Sequence, residues 1–440
     1  MPRQNIVYEW SVIDDAEWQP LRQEGPLAFL QRHAAGLTEP QVGLPLLRAF
    51  VLMMAALALT SAAFSPPTER HPWGYEAVAS VLQLEAQAWA ERDEGLLSTL
   101  IDVQTPARMQ DDWRVGWNSD AALGAPYRTQ LLAVEPVGNL LEVQVRVEQR
   151  TAQWWLSSPH RETRFYRQMP HGWVRSLPDN SHWGVMRAVE TPHLRFEFYD
   201  HDMPTVIAIA DRIEMGYVRV HQWLGVEPPV FEDKLVFAVV PELVRGWGGY
   251  GNRHHLTSPA LAKVPLELSD SDYLVQQIMN RVASRALNLL FSDTERTNAY
   301  QWRTMMWALS GWLRTELAGR RSPWHEQAEA LFVAQTVPQL PLSLAAIESR
   351  YPTWRIDQEG MMLDYMAAES VVTYVMETYG PEYLPQMVVG FQEYGSWIGF
   401  VPDLFNQSVD EFEAGWNRYL AMRFGATQPV SSVSHPPFPD

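Results

Sequence analysis

The 440-residue chain contains no cysteine. That excludes disulfide frameworks, Cys-ligated zinc, iron–sulfur clusters and thiol nucleophiles together, and it removes any redox clue to the compartment. Basic residues are scarce as well: 34 lysines and arginines stand against 52 acids, for a formal charge of −18. No nucleic-acid partner is expected, because there is no basic footprint to meet phosphates. Hydrophobic residues make up 46% and charged residues 20%, the balance of a globular chain rather than a disordered one. Tryptophan, by contrast, is abundant at 19. At about 150 residues per domain, this length predicts two or three domains.

Long hydrophobic runs are also missing, with one exception. From Ala49 to Phe64 no charged residue occurs. Counted from Leu44, the segment would span about 31 Å as a helix, against about 30 Å for the hydrocarbon core. Arg48 sits near its N-terminal end, where the guanidinium can snorkel to the headgroups. A cleaved signal peptide would need an n-region far longer than usual. Residues 44–64 are therefore predicted to be a transmembrane helix, with the membrane as a partner. Arg32 and Arg48 lie close to the N-terminal end of the span, whereas only Arg70 follows it closely. The positive-inside bias then places residues 1–43 in the cytoplasm and the remainder outside a cell membrane, in a single-pass arrangement.

Beyond Pro66 and Pro67 the periodicity changes twice. Residues 74–100 have helical spacing, with Val78, Val81, Leu82, Ala86 and Trp89 on one side. "NLLEVQVRVEQR" then alternates, with Leu141, Val143, Val145 and Val147 on one face. "ETRFYRQMPHGWVRSL" reads as two strands joined at Pro-His-Gly. Helix followed by a meander of strands predicts an α+β unit over residues 68–185. "TPHLRFEFYDHD" opens a second unit, residues 190–424, with a strand, a helix, the buried strand "LVFAVV", and then mainly helices at 271–291, 298–319, 323–335, 361–379, 381–394 and 408–423. "PDNSHWGVMRAVETPH", which begins at Pro178, interrupts the periodicity, and the units are expected to join near residues 178–192. The tail 425–440 is rich in proline and serine and is expected to be disordered.

On "RFYRQMPHGWVRSLPDNSHWG", the first unit resembles the ketosteroid-isomerase-like, cone-shaped superfamily, in which a curved antiparallel sheet wraps around helices to form a pocket. No paired Asp and Tyr in it can be assigned to isomerase chemistry. On "LGVEPPVFEDKLVFAVVPE", "YLVQQIMNRVASRALNLL", "WALSGWLRTELAGR" and "SVDEFEAGWNRYL", the second unit resembles the peptidase MA-like, gluzincin-type domains. That resemblance implies zinc held by H-E-x-x-H on one helix and by a glutamate on the next. The chain has no H-E-x-x-H. By position Asn280 and Ser284 stand where the two histidines belong, and Arg281 where the general base belongs. Asn and Ser offer zinc no imidazole, and a permanent guanidinium opposes a divalent ion. Thr315 stands at the family's glutamate. Glu316 follows one residue later, turned by about 100°.

The weaker motifs all favour plain structural readings. "GWGGYG" matches G-x-G-x-x-G, yet Pro259 follows soon after instead of a helix, so no dinucleotide loop is expected. His254 and His255 are adjacent and would face opposite ways in a strand, as surface imidazoles. Asp270 and Asp272 stand at a helix start, where capping is ordinary. "YGSWIG" is not a nucleophile elbow. Trp302, Trp307 and Trp312 are expected in the core or at its rim; Trp154 and Trp155 could form an exposed patch.

The fold expected is thus α+β: one N-terminal transmembrane helix, a cone-like domain with a curved antiparallel sheet, then a mainly helical gluzincin-like domain with a small sheet. The function expected is that of a membrane-anchored, catalytically inactive peptidase-like protein. It would bind or scaffold a protein or peptide partner outside the membrane, with no cofactor and no metal implied. Two alternatives stand beside it: an active metallopeptidase or other hydrolase with a rearranged site, such as Glu316 with a histidine from elsewhere, or small-ligand binding by the cone domain. If the peptidase-like reading holds, Arg281 should be neutralised by a carboxylate, with Glu316 as the first partner to look for.

Overall fold

The computed structural model describes residues 10–12, 72–91, 93–104, 127–149, 159–170, 172–227, 234–244, 249–290, 302–348 and 358–425. The predicted span 44–64, the tail beyond residue 425 and Trp154 with Trp155 lie outside them. Among the described residues no helix is long and apolar enough to cross a membrane.

The architecture is α+β, with two sheets and a large helical layer. A short strand β1 (Trp10–Val12) precedes helix α1 (Pro72–Glu91) and the short α2 (Glu94–Thr99). The helical spacing read through residue 100 breaks near residue 92, because Asp93 adopts an extended backbone and its Oδ1 accepts from Leu96 N at 2.8 Å. That N-cap starts a new helix. Strands β2 (Tyr127–Val137) and β3 (Leu140–Gln149) form a hairpin whose turn places Gly138 at φ +59°, a backbone that favours glycine. Strands β4 (His160–Met169) and β5 (Gly172–Ser176) follow, as the alternation predicts. All pairings in this sheet are antiparallel, and Leu141, Val143, Val145 and Val147 are buried together against α1.

The residues expected to join two units are not a bare linker. They form the single-turn α3 (Asn180–Trp183) and strand β6 (Met186–Glu190), with Trp183, Ala188, Val189 and Thr191 buried. The alternation in β6 is too short to be read from sequence. It pairs with β1 and with β7 (Leu194–Tyr199). A crossover through α4 (Met203–Trp223) then leads to the parallel β8 (Leu235–Val240). Beyond it lie β10 (Arg253–Thr257), parallel to β8, and β9 (Gly249–Tyr250) at the edge. The glycine stretch therefore leads into strand rather than helix. Strand β11 (Val264–Pro265) leaves this region and pairs with β4, sharing an edge of that strand with β5. The first sheet is thus completed by chain from the second half.

The remaining helices are α5 (Asp270–Leu290), α6 (Arg303–Ala318), α7 (Pro323–Gln335), α8 (Leu344–Glu348), α9 (Gln358–Thr378), α10 (Leu384–Glu393), α11 (Trp397–Phe405) and α12 (Val409–Phe424). The short α8 and the Pro402-containing α11 carry too little helical signal to be read in advance. Helix α5 buries Val275, Ile278, Met279, Val282 and Ala286, as its spacing predicts. It packs between α4 and α6, and α6 packs on α9. Trp302 closes this core: its Nε1 donates to Tyr394 O at 2.6 Å, and its ring stacks on Phe391 at 4.8 Å.

Candidate functional site

Strand β4 determines the site. Alternation sends His160, Glu162, Arg164 and Tyr166 to one side, and all four are buried. A polar strand face turned inward must bring its own partners, since an unpaired buried charge costs several kcal/mol. Arg164 is 1% exposed and is fully engaged. It donates from Nε and Nη2 to Glu162 Oε2 at 3.0 and 2.8 Å, from Nη1 to Glu85 Oε2 at 2.6 Å, and from Nη2 to the Tyr127 hydroxyl at 2.6 Å. Tyr166 donates to Glu85 Oε1 at 2.9 Å, and His160 Nε2 lies 3.0 Å from Glu162 Oε1. Glu85 comes from α1, on the same stripe as Val81 and Leu82.

The electrostatics follow from this geometry. Burial pushes the Glu162 carboxyl up, but the charge of Arg164 and the hydrogen bond to His160 outweigh it and hold Glu162 well below the usual carboxylate range. Burial also favours a neutral Arg164, yet the surrounding tyrosines and glutamates bind its proton more tightly still. Burial and the nearby Glu85 charge push Tyr166 well above a free phenol; Tyr127 rises too, chiefly through burial.

Above this network lies a cavity of about 110 Å³. Trp89 and Tyr127, stacked at 5.1 Å and 8°, form part of its wall together with Leu97, Leu100 and Ile101 of the α2 region. Helix α2 is held there because Arg175 N donates to Leu100 O at 2.7 Å and Asp102 N donates to Arg175 O at 2.8 Å. The opposite wall comes from beyond β8, with Leu243, Leu261 and Lys263. The pocket is therefore built by both halves of the chain. Its ionisable lining comprises Arg164, Arg175 and Lys263 with Glu85 and Glu162, one positive charge in excess.

The reading by motifs missed these residues, yet two signals point to them. Glu85 is an acid at helical spacing from Val81 and Leu82, in the middle of an apolar stripe. "HRETRFYR" offers no apolar face at all, so one polar face must turn inward.

The positions matched to a zinc site lie on α5, where Asn280 and Ser284 are one turn apart, and on α6, which packs against it. On α5, Asn280 and Ser284 are half-buried, while Arg281, expected on the open side, is 8% exposed. Its Nη1 donates to Gln277 O at 2.9 Å, and its Nε finds no acceptor. Among the described residues Arg281 has no ion pair; Glu316 points to solvent and does not neutralise it. The reason is helical phase. Arg281 comes three residues after the buried Ile278, at the border of the buried stripe, with Tyr273 of the same helix and His254 of β10 as its neighbours. His254 is not a surface imidazole either: its ring stacks on Phe237 at 5.6 Å and neither nitrogen finds a partner. Burial, with Arg281 and Arg285 close by, lowers its pKa to about 4. Thr315 and Glu316 line a different cavity, between α6 and α9, to which Asn280, Arg281 and Ser284 contribute nothing. Among the described residues no cluster of three or more His, Asp or Glu is placed to hold a metal ion.

Comparison of the chain with protein-family models, with curated proteins and with solved structures gives no match.

Proposed function

We propose that this chain is a binding protein rather than a peptidase, and that its pocket takes a small amphipathic molecule carrying one negative charge. The observation that carries the reading is the cavity between α1, α2, β4 and the residues Leu243, Leu261 and Lys263. It has an aromatic wall, an excess of one cation, and a floor whose charges are already satisfied. Such a floor favours binding over proton transfer. A general base works best with a pKa near the operating pH, and Glu162 is held far below it. The arrangement agrees with the resemblance to ketosteroid-isomerase-like cones, in which a curved antiparallel sheet forms a pocket with helices.

Benzoate, with benzyl alcohol as its neutral twin, tests the pocket. Titration calorimetry on the full-length protein should show saturable benzoate binding, weakened several-fold by Lys263→Gln and more strongly by Trp89→Ala. Equal affinity for benzyl alcohol, or indifference to both substitutions, overturns the reading.

The same proposal places the binding units outside a cell membrane, anchored by residues 44–64. A cytoplasmic N-terminus and the pairing of Ser11 with Ala188 across β1 and β6 exclude each other. In a chain without cysteine, the Ser11→Cys/Ala188→Cys variant decides between them. Protection of Cys at position 11 from an impermeant maleimide, with no disulfide, supports the span. A disulfide formed in intact membranes overturns the cytoplasmic N-terminus.

A further inference from the structure

The two sheets meet at a joint whose polar groups the pocket over Arg164 does not use. By alternation Arg161, Phe165 and Arg167 stand on the face of β4 turned away from the Arg164 network. The Phe165 ring packs edge-on against two rings of α3, His182 at 5.1 Å and Trp183 at 6.3 Å. His201, in the turn Asp200–Asp202 before α4, completes the cluster at 4.9 Å from His182 and 5.2 Å from Trp183. Other links across the joint are short. Strand β11 pairs Val264 with Arg161, and Arg161 Nη2 donates to Asp270 Oδ1 at 2.5 Å. Lys263 of the pocket wall directly precedes β11, so the joint also seats that wall.

We infer that this joint opens on acidification, with His182 and His201 as the pair that releases it: β4 and α3 part from the turn 200–202 and from α5. Gly184, at φ +76° between α3 and β6, is the hinge. Neutral imidazoles tolerate contact at 4.9 Å, whereas two imidazolium ions repel each other there. His182 Nε2 is buried without a hydrogen-bond partner, so a proton placed on it finds no acceptor in the closed joint.

The surrounding charges agree with this direction. Burial first, and then His201, lower the His182 pKa; partial burial of its ring lowers that of His201, against the pull of Asp270. The closed joint is therefore favoured above the ordinary histidine value and is lost as the pH falls through the lowered ones. Asp179 lies 3.8 Å from Arg167, Asp200 is bound by Arg187 and by Val185 N, and Asp272 is paired with Arg212. Burial raises Asp202 to about 6, but it accepts from Ser258 at 2.8 Å and stays with that partner when the joint opens. Asp270 is shared: it holds Arg161 across the joint, and a cationic His201 competes for it. Acid thus adds repulsion and weakens the ion pair that resists it. The inference goes beyond the pocket reading and stands without it.

The test is the distance between spin labels on the full-length, cysteine-free chain. Gln130→Cys on β2 and Asp410→Cys on α12, both at exposed positions, carry the labels. Double electron–electron resonance at about pH 8 should give one distance, and at about pH 5.5 a second, longer one whose population has risen at least about tenfold. With His182→Gln/His201→Gln added, the first distance should persist and the rise should shrink to about twofold or less. A distribution unchanged by acid overturns the inference, and so does a rise that the added substitutions leave intact. Should that variant not fold, His201→Gln alone, at an exposed position, still decides. It should lower the rise and move the His182 midpoint upward in a proton NMR titration; an intact rise or an unmoved midpoint overturns the role of the pair.

Discussion

Two arginines are buried in this protein under opposite conditions. Arg164 lies in the first sheet among two glutamates and a tyrosine, with every donor group engaged. Arg281 lies on α5 with one backbone carbonyl, a distant amide oxygen and an idle Nε. The first is the centre of a network that defines a pocket floor. The second is tolerated because its helix already has an apolar stripe to bury, and its guanidinium follows at the margin. The sheet unit depends on charge complementarity at its centre; the helical unit depends on packing.

The sharpest way to break this contrast is Arg164→Met. It leaves Glu85 and Glu162 buried near each other without a cation, and should cost about 3–5 kcal/mol, read as a lower urea midpoint. A loss below about 1 kcal/mol would mean that the network contributes little. The helical unit should answer instead to volume. A Cβ on Gly311 would fall 1.7 Å from the hydroxyl oxygen of Tyr365 on the facing α9. Gly311→Ala should therefore cost about 1–3 kcal/mol, with the tyrosine forced to move. A neutral Gly311→Ala would show that this interface has slack.

The contrast also explains which features could be read from the chain beforehand. Helices α5, α7 and α12 and the β3 face announce themselves because one residue class repeats at one period, as with Val143, Val145 and Val147. The pocket does not, because its two halves are far apart in sequence: Glu85 matters only once α1 lies across β4, and Lys263 only once β11 joins that sheet. Thr315 and Glu316 lie on a helix, as the spacing predicts. Position matching failed for Arg281, since a one-residue difference in helical phase decides between solvent and burial, and the pattern carried no information about β10.

At the opposite end from Arg164→Met, Arg281→Met should leave stability within about 1 kcal/mol of the parent. It removes two hydrogen bonds to Gln277, one of them long, together with a poorly satisfied buried cation.

The most specific effect concerns His254. Its folded pKa of about 4 lies below the ordinary value of 6.5, through burial first and then through Arg281, Arg285 and His255. A histidine held neutral in the folded state binds fewer protons than in the unfolded chain between those two values. Stability should therefore rise with pH across about pH 4 to 6.5 and be lost as the pH falls through that window. His254→Phe, which keeps the stacking on Phe237, should flatten that slope. Arg281→Met should move the His254 midpoint upward without restoring it to 6.5, because burial is the larger cause and stays in place. A proton NMR titration of the His254 ring reads this directly. An unmoved midpoint would show that the Arg281 charge is not felt at β10, and would remove the link drawn between these two residues.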